Sequence, residues 1–534
     1  MKNYLILGFT SLLVLSCGAP KIISTPIENI DAIPLKTSEL NEQEVQNWYH
    51  LDLMTDTIPG MSVDKTYVEI ISQLPQPKKK VIVAIVDSGT DIEHEDLKDL
   101  IWVNPKEVPG NGIDDDKNGF VDDVNGWNFL GPIIKENYEF ERILRDKNIV
   151  DEATYKAAEA EHQAKKAEAE QIKARYTSIL TMMNNVHPKI KTALGKEDYT
   201  KEDLKELKKG VLDDNESMFI NQMLGFGLSP TELMDELQSG IDGADDTISG
   251  KSLQTRYRDA LGNDENDWST KIYGDNNVIS PDPEKKDARH GTHVAGIVAA
   301  NRHNEIGSRG VADQVIIMPV RTVPDGDEYD KDVALAIRYA VDNGAKVINT
   351  SFGKGYSPHS DWVHDAIKYA AEKDVLIVNA AGNDANDIDQ EQTYPGDNIG
   401  TGPEVADNFL TVGAIGPRYG SNMVANFSNY GKQNVDVFAP GVRIYSATPN
   451  DSYSSLQGTS MAAPATAGVA AMIRAYFPKL SAAQVKQVIM NSGLKINRKV
   501  VVGGNANDVR EFETLSKSGS IVNMYNAFIL ASKL

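Results

Sequence analysis

The sequence predicts an α/β fold: a mainly parallel central sheet flanked by helices, interrupted by a large helical insertion. Three observations carry that prediction. Continuous apolar runs rich in β-branched residues recur as "VIVAIVD" (81–87), "VIIMPVRTV" (315–323), "AKVINTSFG" (345–353) and "DVLIVNAAGN" (374–383). They have the pattern of strands buried on both faces. Helical patterns, "DVALAIRYAVDNG" and "DWVHDAIKYAAEKD", separate the last three runs, so strands alternate with helices. From about Asn128 to Pro283 no comparable run occurs.

The elements follow in chain order. The chain has 534 residues, 41% hydrophobic and 25% charged, which marks a folded globular protein. Its net charge of −23 disfavours nucleic-acid binding, because phosphate contacts need clustered Lys and Arg. Residues 1–17 read as an export signal, with one Lys before an apolar run too short to span a membrane comfortably. Cys17 is the only cysteine and closes that run. "VLSC" resembles the lipobox of bacterial lipoproteins, although Val14 and Leu15 depart from its commonest residues. The resemblance implies lipidation at Cys17 and an exported, membrane-anchored protein of a bacterial cell envelope, periplasmic or surface-facing. An ordinary secretory signal is the alternative. Residues 18–47 are polar and Pro-containing and read as a tether; 48–534 form the main domain, with 131–280 as the insertion. Within it, "DEATYKAAEAEHQAKKAEAEQIKARYTSIL" predicts a long helix. Ile172, Tyr176, Ile179, Met183 and Val186 give that helix one apolar face. Ser229 caps a second helix that begins at Pro230.

Three motifs carry chemistry. "VAIVDSGT" ends a buried strand with Asp87, "RHGTHVAGIVAA" presents His290, and "QGTSMAAPATAG" presents Ser460 at the start of an Ala- and Gly-rich helix. Alone, Ser460 reads as a helix cap and His290 as a structural histidine. Together they supply what acyl transfer needs: a hydroxyl nucleophile, an imidazole to take its proton, and a carboxylate to orient the imidazole.

With those motifs the chain resembles the subtilisin-like serine proteases, the subtilase family, over residues 48–130 and 281–534. The order Asp, His, Ser is that of subtilisin, which serves as a standard example of it. The resemblance implies a subtilisin-like fold and peptide-bond hydrolysis through an acyl-enzyme. Ser460 would be nucleophile, His290 general base and then acid, Asp87 the orienting carboxylate, and Asn383 in "NAAGN" an oxyanion donor. His293 would be structural. Ser351, Phe352 and Gly353 match the strand that pairs with an extended peptide. Asp325, Gly326 and Asp327 would line the opposite edge, where acidic residues either attract basic substrates or form a solvated loop. Thr393, just before "YPG", would shorten the first specificity pocket. Protein or peptide substrates are the implied partners, and catalysis needs no cofactor. Residues 18–47 are too short for a folded inhibitory prodomain, so none is expected.

Structural calcium is expected at one of two places. "DDDKNGFVDDVN" sets Asp114, Asp116, Asn118, Phe120 and Asp122 at the first, third, fifth, seventh and ninth places of a calcium loop, with Gly119 at the sixth. Asn125 stands where that loop has Glu; the alternative is an acidic turn. Asp96 and Asn304 resemble the family's high-affinity site. Two rival functions remain. One is a catalytically silent, surface-tethered binding protein on the same fold. The other, an α/β-hydrolase esterase, is disfavoured because Gly458-Thr-Ser460-Met-Ala462 lacks the second Gly of G-x-S-x-G.

Overall fold

The computed structural model describes residues 22–534, apart from 23, 29, 31–35, 37, 227 and 399–401. The signal region and Cys17 lie outside the described residues. In chain order the strands are β1 (Val81–Asp87), β2 (Trp127–Asn128), β3 (Val315–Arg321), β4 (Val347–Thr350), β5 (Leu376–Ala380), β6 (Phe409–Ile415), β7 (Val437–Pro440), β8 (Ile444–Thr448), β9 (Ser452–Leu456), β10 (Leu494–Lys495), β11 (Lys499–Val502), β12 (Asn505–Glu511) and β13 (Ser520–Ile521). β8 pairs with β9, and β11 with β12, as hairpins. The other nine form one sheet in the order β10-β13-β7-β6-β5-β4-β1-β3-β2. Only β10 and β13 pair antiparallel in it. The α/β class and the parallel sheet expected from the apolar runs are therefore what the chain forms.

β1 explains the layering. Val81, Val83 and Ile85 face one core, shared with Val294 and Val298 of the His290 helix (Arg289–Ala299) and Ala462 of the Ser460 helix (Thr459–Tyr476). Ala84 and Val86 face another, shared with Val333 and Ile337 of one helix (Asp330–Asp342) and Val363 and Ile367 of the next (Ser360–Glu372). Alternate side chains of a strand point to opposite faces, so a run apolar at every position needs helices on both sides. The Ser460 helix is almost wholly buried, and its small residues allow that. A Cβ added at Gly468 would lie 2.7 Å from Val311 Cβ.

The strand order reverses at β1, with β3 and β2 on one side and β4 to β7 on the other. In open α/β sheets, ligands bind beyond the carboxyl ends of the strands at such a point. Asp87 ends β1 there.

Two boundaries differ from the sequence expectation. The chain divides into a sheet-bearing unit, up to Ile134 and again from Leu261, and an insertion unit, Lys135–Ala260. Residues 131–134 and 261–280 thus belong with the sheet. Asn128 and Asp275 pair there through backbone bonds of 2.9 and 3.0 Å, a contact that short polar segments do not announce in sequence. The stretch read as a tether is also partly packed. Ile30 is buried, the Ile27 amide donates to Asn526 Oδ1, and residues Glu42–Asn47 form a helix capped by Asn41. Scattered isoleucines dock the segment despite its polar composition.

The insertion unit has its own core. Its long helix spans Glu152–Leu194 and buries Met183, Val186 and Ile190 with Leu233 and Leu237 of a second helix, Pro230–Ser249. Tyr176 and Ile179 pack at the margin of that cluster. Ser229 caps the second helix with Glu232 in a reciprocal capping box.

Candidate active site

Asp87 is buried at the end of β1, and its Oδ1 lies 2.7 Å from His290 Nδ1 and accepts from the Ser88 amide at 2.8 Å. Its backbone carbonyl is held as well, by the Thr322 amide at 2.8 Å. His290 sits in the first turn of its helix, and Gly291 lets that helix approach the strand end. A Cβ there would lie 2.1 Å from Gly89 O. Desolvation, the largest influence on His290, lowers its pKa; the charge and hydrogen bond of Asp87 together outweigh it, so the net direction is upward. His293, one turn on, differs. It is buried, its Nε2 contacts Ser454 O at 3.0 Å, and burial pushes its pKa down to about 3, so it stays neutral.

A fully buried arginine fixes the two loops that carry this pair. Arg321 Nε donates to Ser88 O at 3.0 Å and its Nη2 to Asp287 Oδ2 at 3.0 Å. Ser88 Oγ also donates to Asp287 O at 2.7 Å. The loop after Asp87 and the turn before His290 are thereby tied together. Sequence reasoning missed Arg321; its one signal was a charge closing an apolar strand.

Ser460 lies at the carboxyl end of β4, the neighbour of β1. Ser460 Oγ donates to Ser351 O at 3.1 Å, and Ser351 Oγ donates to Ser460 O at 2.9 Å. The hydroxyl thus rests on the chain segment after β4 and makes no hydrogen bond to His290. Ser460 is in the first turn of its helix, where amides lack intrahelical acceptors and the dipole favours negative charge. Asn383, in the loop after β5, faces the same helix start. Its Oδ1 accepts from Thr459 N at 2.8 Å and Thr459 Oγ1 at 3.0 Å. Two donors on one atom fix the amide orientation, and Nδ2 has no acceptor among the described residues. Thr459 also accepts from the Gly382 amide at 3.1 Å, a second tie that the motif gave no reason to single out.

The expected substrate edges are formed in part. Ser351 is buried, Phe352 half-buried and Gly353 exposed. Lys354 and Tyr394 exchange both backbone bonds at 2.9 Å, which sets Thr393 beside that edge. Lys354 itself is buried against Asp330 at 2.9 Å. Asp325 is exposed and Asp327 half-buried, and the Asp325 amide donates to Ile134 O at 2.7 Å.

The metal candidates sort unevenly. Asp114 and Asp116 converge, and Glu107 joins them. Asp122 does not: its oxygens accept from the Asn111 and Gly112 amides at 3.2 and 2.7 Å. Asn118 accepts from the Phe120 amide and donates to Asp123, so its side chain is engaged within the loop. Asp96 and Asn304 meet, but as a hydrogen-bonded tie in which Asp96 accepts from Asn304 Nδ2 at 2.5 Å and Ser308 N at 3.1 Å. Both carboxylate oxygens of Asp96 thus have donors within the protein.

Comparison with known proteins gives one direction. A family model described as the subtilase family matches residues 78–512. The cell wall-associated protease of Bacillus subtilis (strain 168) is 36% identical over 279 residues, 52% of this chain but 28% of that protein. The thermophilic serine proteinase of Bacillus sp. (strain AK1) is 40% identical over 185 residues, 34% of this chain and 42% of that protein. Thermitase of Thermoactinomyces vulgaris is 34% identical over 257 residues, 48% of this chain and 82% of that protein.

Proposed function

The chain belongs to the subtilase family, and from that premise we propose that it is a serine endopeptidase that cleaves proteins or peptides through an acyl-enzyme. An extended peptide pairs with Ser351–Gly353. Ser460 Oγ turns from Ser351 O to His290 Nε2, which takes its proton as Oγ attacks the carbonyl carbon. Asp87 holds the imidazole by Nδ1 and stabilises the imidazolium that forms. The new oxyanion receives Asn383 Nδ2–H and the Ser460 amide. Collapse expels the amine, protonated by His290, and water then repeats the steps to release the acid.

The observation that carries this reading is Asn383. Its oxygen is held by Thr459, and its Nδ2 donor, on an exposed side chain beside the Ser460 helix start, has no acceptor among the described residues. A pre-oriented donor without an acceptor suits a charge that appears only during reaction. The silent binding protein has one observation in its favour, the rest position of Ser460 Oγ on Ser351 O. Cleavage profiling of a proteome with wild type beside Ser460→Ala separates the two. New termini that vanish with the variant support the peptidase; identical profiles refute it.

The reading extends to the surroundings. Thr393 favours small or medium side chains at the cleaved bond, and the exposed Asp325 draws basic substrates toward the edge. Lipid on Cys17 holds the exported chain at a bacterial envelope. Cys17→Ala would then move it from the membrane to the soluble fraction, and unchanged membrane association would remove the anchor from the account.

A further inference from the structure

Lys354 follows directly on the Ser351–Gly353 edge, and its side chain is 1% exposed. A lysine is almost never buried so fully unless its charge is matched. Here Nζ lies 2.9 Å from Asp330 Oδ1 and donates to the Glu328 carbonyl at 2.8 Å. Asp330, buried as well, also accepts from Ser357 Oγ at 2.7 Å and from the His359 amide at 2.8 Å. Val333, Val363 and Pro395 line the same space, so the pair sits in partly apolar surroundings. Such a pair adds little net stability, because desolvation offsets most of the attraction. What it fixes is geometry, since removing either partner strands a buried charge.

Three chain segments meet at this one residue. The ammonium holds Glu328, which follows Asp327 at the end of the acidic edge. The backbone exchanges both bonds with Tyr394, the neighbour of Thr393. The Cα itself continues the Ser351–Gly353 edge. Residues 326–329 belong to no strand, so no ladder of backbone bonds sets their distance from 351–353. A side chain reaching from one edge to the other does that instead.

We propose that Lys354 is a positioning residue for peptide cleavage: through Glu328 and Asp330 its buried ammonium ties the 325–328 segment to the 351–354 edge and sets the width of the channel between them. The proposal rests on the peptidase reading above. A peptide seated between two edges needs them two strand spacings apart, about 9.5 Å. If one edge drifts, main-chain bonds to the residues ahead of the cleaved bond are lost first, because those residues lie farthest from Ser460. Lys354 therefore governs what each added substrate residue contributes, while the chemical step stays with Asp87, His290, Asn383 and Ser460.

The test uses the full chain and two capped nitroanilide substrates, of two and of four alanines. The readout is the ratio of their kcat/KM values, with active enzyme counted by fluorophosphonate labelling of Ser460. A variant that is merely less stable loses active enzyme for both substrates equally, so the ratio does not move. In the parent, the longer substrate should gain about tenfold to a hundredfold, the yield of two modest hydrogen bonds. In Lys354→Met the gain should fall to about threefold or less, mostly through KM of the longer substrate. Lys354→Met combined with Asp330→Asn leaves no lone buried charge, while Asn still accepts from Ser357 and His359. It should show the same loss, and it covers the case in which the single variant does not fold. Arg474→Met breaks another ion pair, with Asp374 at 2.7 Å, just ahead of the amino end of β5 and away from the channel. It should keep the parent's ratio. A gain undiminished in the folded Lys354 variants overturns the proposal alone, and so does an equal loss in Arg474→Met or a parent without any gain. A parent that neither labels at Ser460 nor turns over either substrate overturns the peptidase reading and the proposal with it.

Discussion

The sheet-bearing unit and the insertion unit bury their residues in different ways. In the first, the Ser460 helix is enclosed along nearly its whole length, between β-strands and the His290 helix. In the second, a 43-residue helix buries few side chains, among them Met183, Val186 and Ile190, and leaves most of its surface to water. Enclosure from several sides leaves the strand ends and helix starts of the first unit no freedom to shift, and those ends carry Asp87, His290, Asn383 and Ser460. A helix held along one stripe positions nothing comparably. The contrast implies that the chemistry is owned by the sheet-bearing unit alone.

The sharpest divide between the units is at the nucleophile. Ser460→Ala should lower kcat by about 10⁶-fold, the loss expected when a serine nucleophile of this type is removed, with both units melting as before; peptide turnover beside calorimetry checks it. Asn383→Ala should cost about 10²–10³ in kcat with KM nearly unchanged. A change confined to KM would remove the oxyanion role.

Stability changes sharpen the comparison further. Arg321→Met leaves Asp287 buried without its cation, which should cost about 3–5 kcal/mol and lower kcat, because the Asp87 and His290 loops lose their tie. Ile220→Ala empties a fully buried site in the insertion unit and should cost about 2–5 kcal/mol locally. It should leave kcat on a short peptide unaltered, and a parallel fall in kcat would break the proposed division. Denaturant melts monitored beside kinetics distinguish the two variants.

The smallest effect is in pH. His290 must be neutral to accept a proton, and Asp87 raises its pKa. Activity should therefore rise with pH through a value above the ordinary histidine range of about 6.5, and the acid limb should move to lower pH in Asp87→Asn. The stability that the His290–Asp87 pair adds follows the same sign. It is fully present below the unfolded histidine value and lost as pH rises through the raised folded one. The pH profile of kcat/KM for both proteins measures the shift.

Sequence and structure met most closely where a residue's role is local. The stretches 81–86 and 375–378 are continuously apolar and rich in β-branched residues, the pattern of strands covered on both faces, so β1, β5 and the parallel sheet were legible. Asp87, His290 and Ser460 stood out because motif and strand end coincide. What was not legible depends on contacts between distant segments. Nothing in "NPKEV" says that Glu107 reaches Asp114, nothing in "DDVN" says that Asp122 turns back to Asn111, and Asn128 gives no sign of pairing with Asp275. The packed residues before Trp48 escaped notice because isolated isoleucines such as Ile27 and Ile30 have no period.

The most direct test of the account is the site of covalent labelling by a fluorophosphonate probe, mapped by peptide mass spectrometry in three proteins: the whole chain, Ser460→Ala, and a chain with 135–260 replaced by a short Gly/Ser linker. The linker has a short gap to close, because a Cβ added at Gly131, three residues before the insertion's preceding residue Ile134, would lie 2.8 Å from Leu261 Cδ2. The account predicts one adduct, on Ser460, in the whole chain and in the linker protein at rates within about threefold, a difference of well under 1 kcal/mol in barrier, and none in Ser460→Ala. An adduct elsewhere, or a folded linker protein that no longer labels at Ser460, would contradict it.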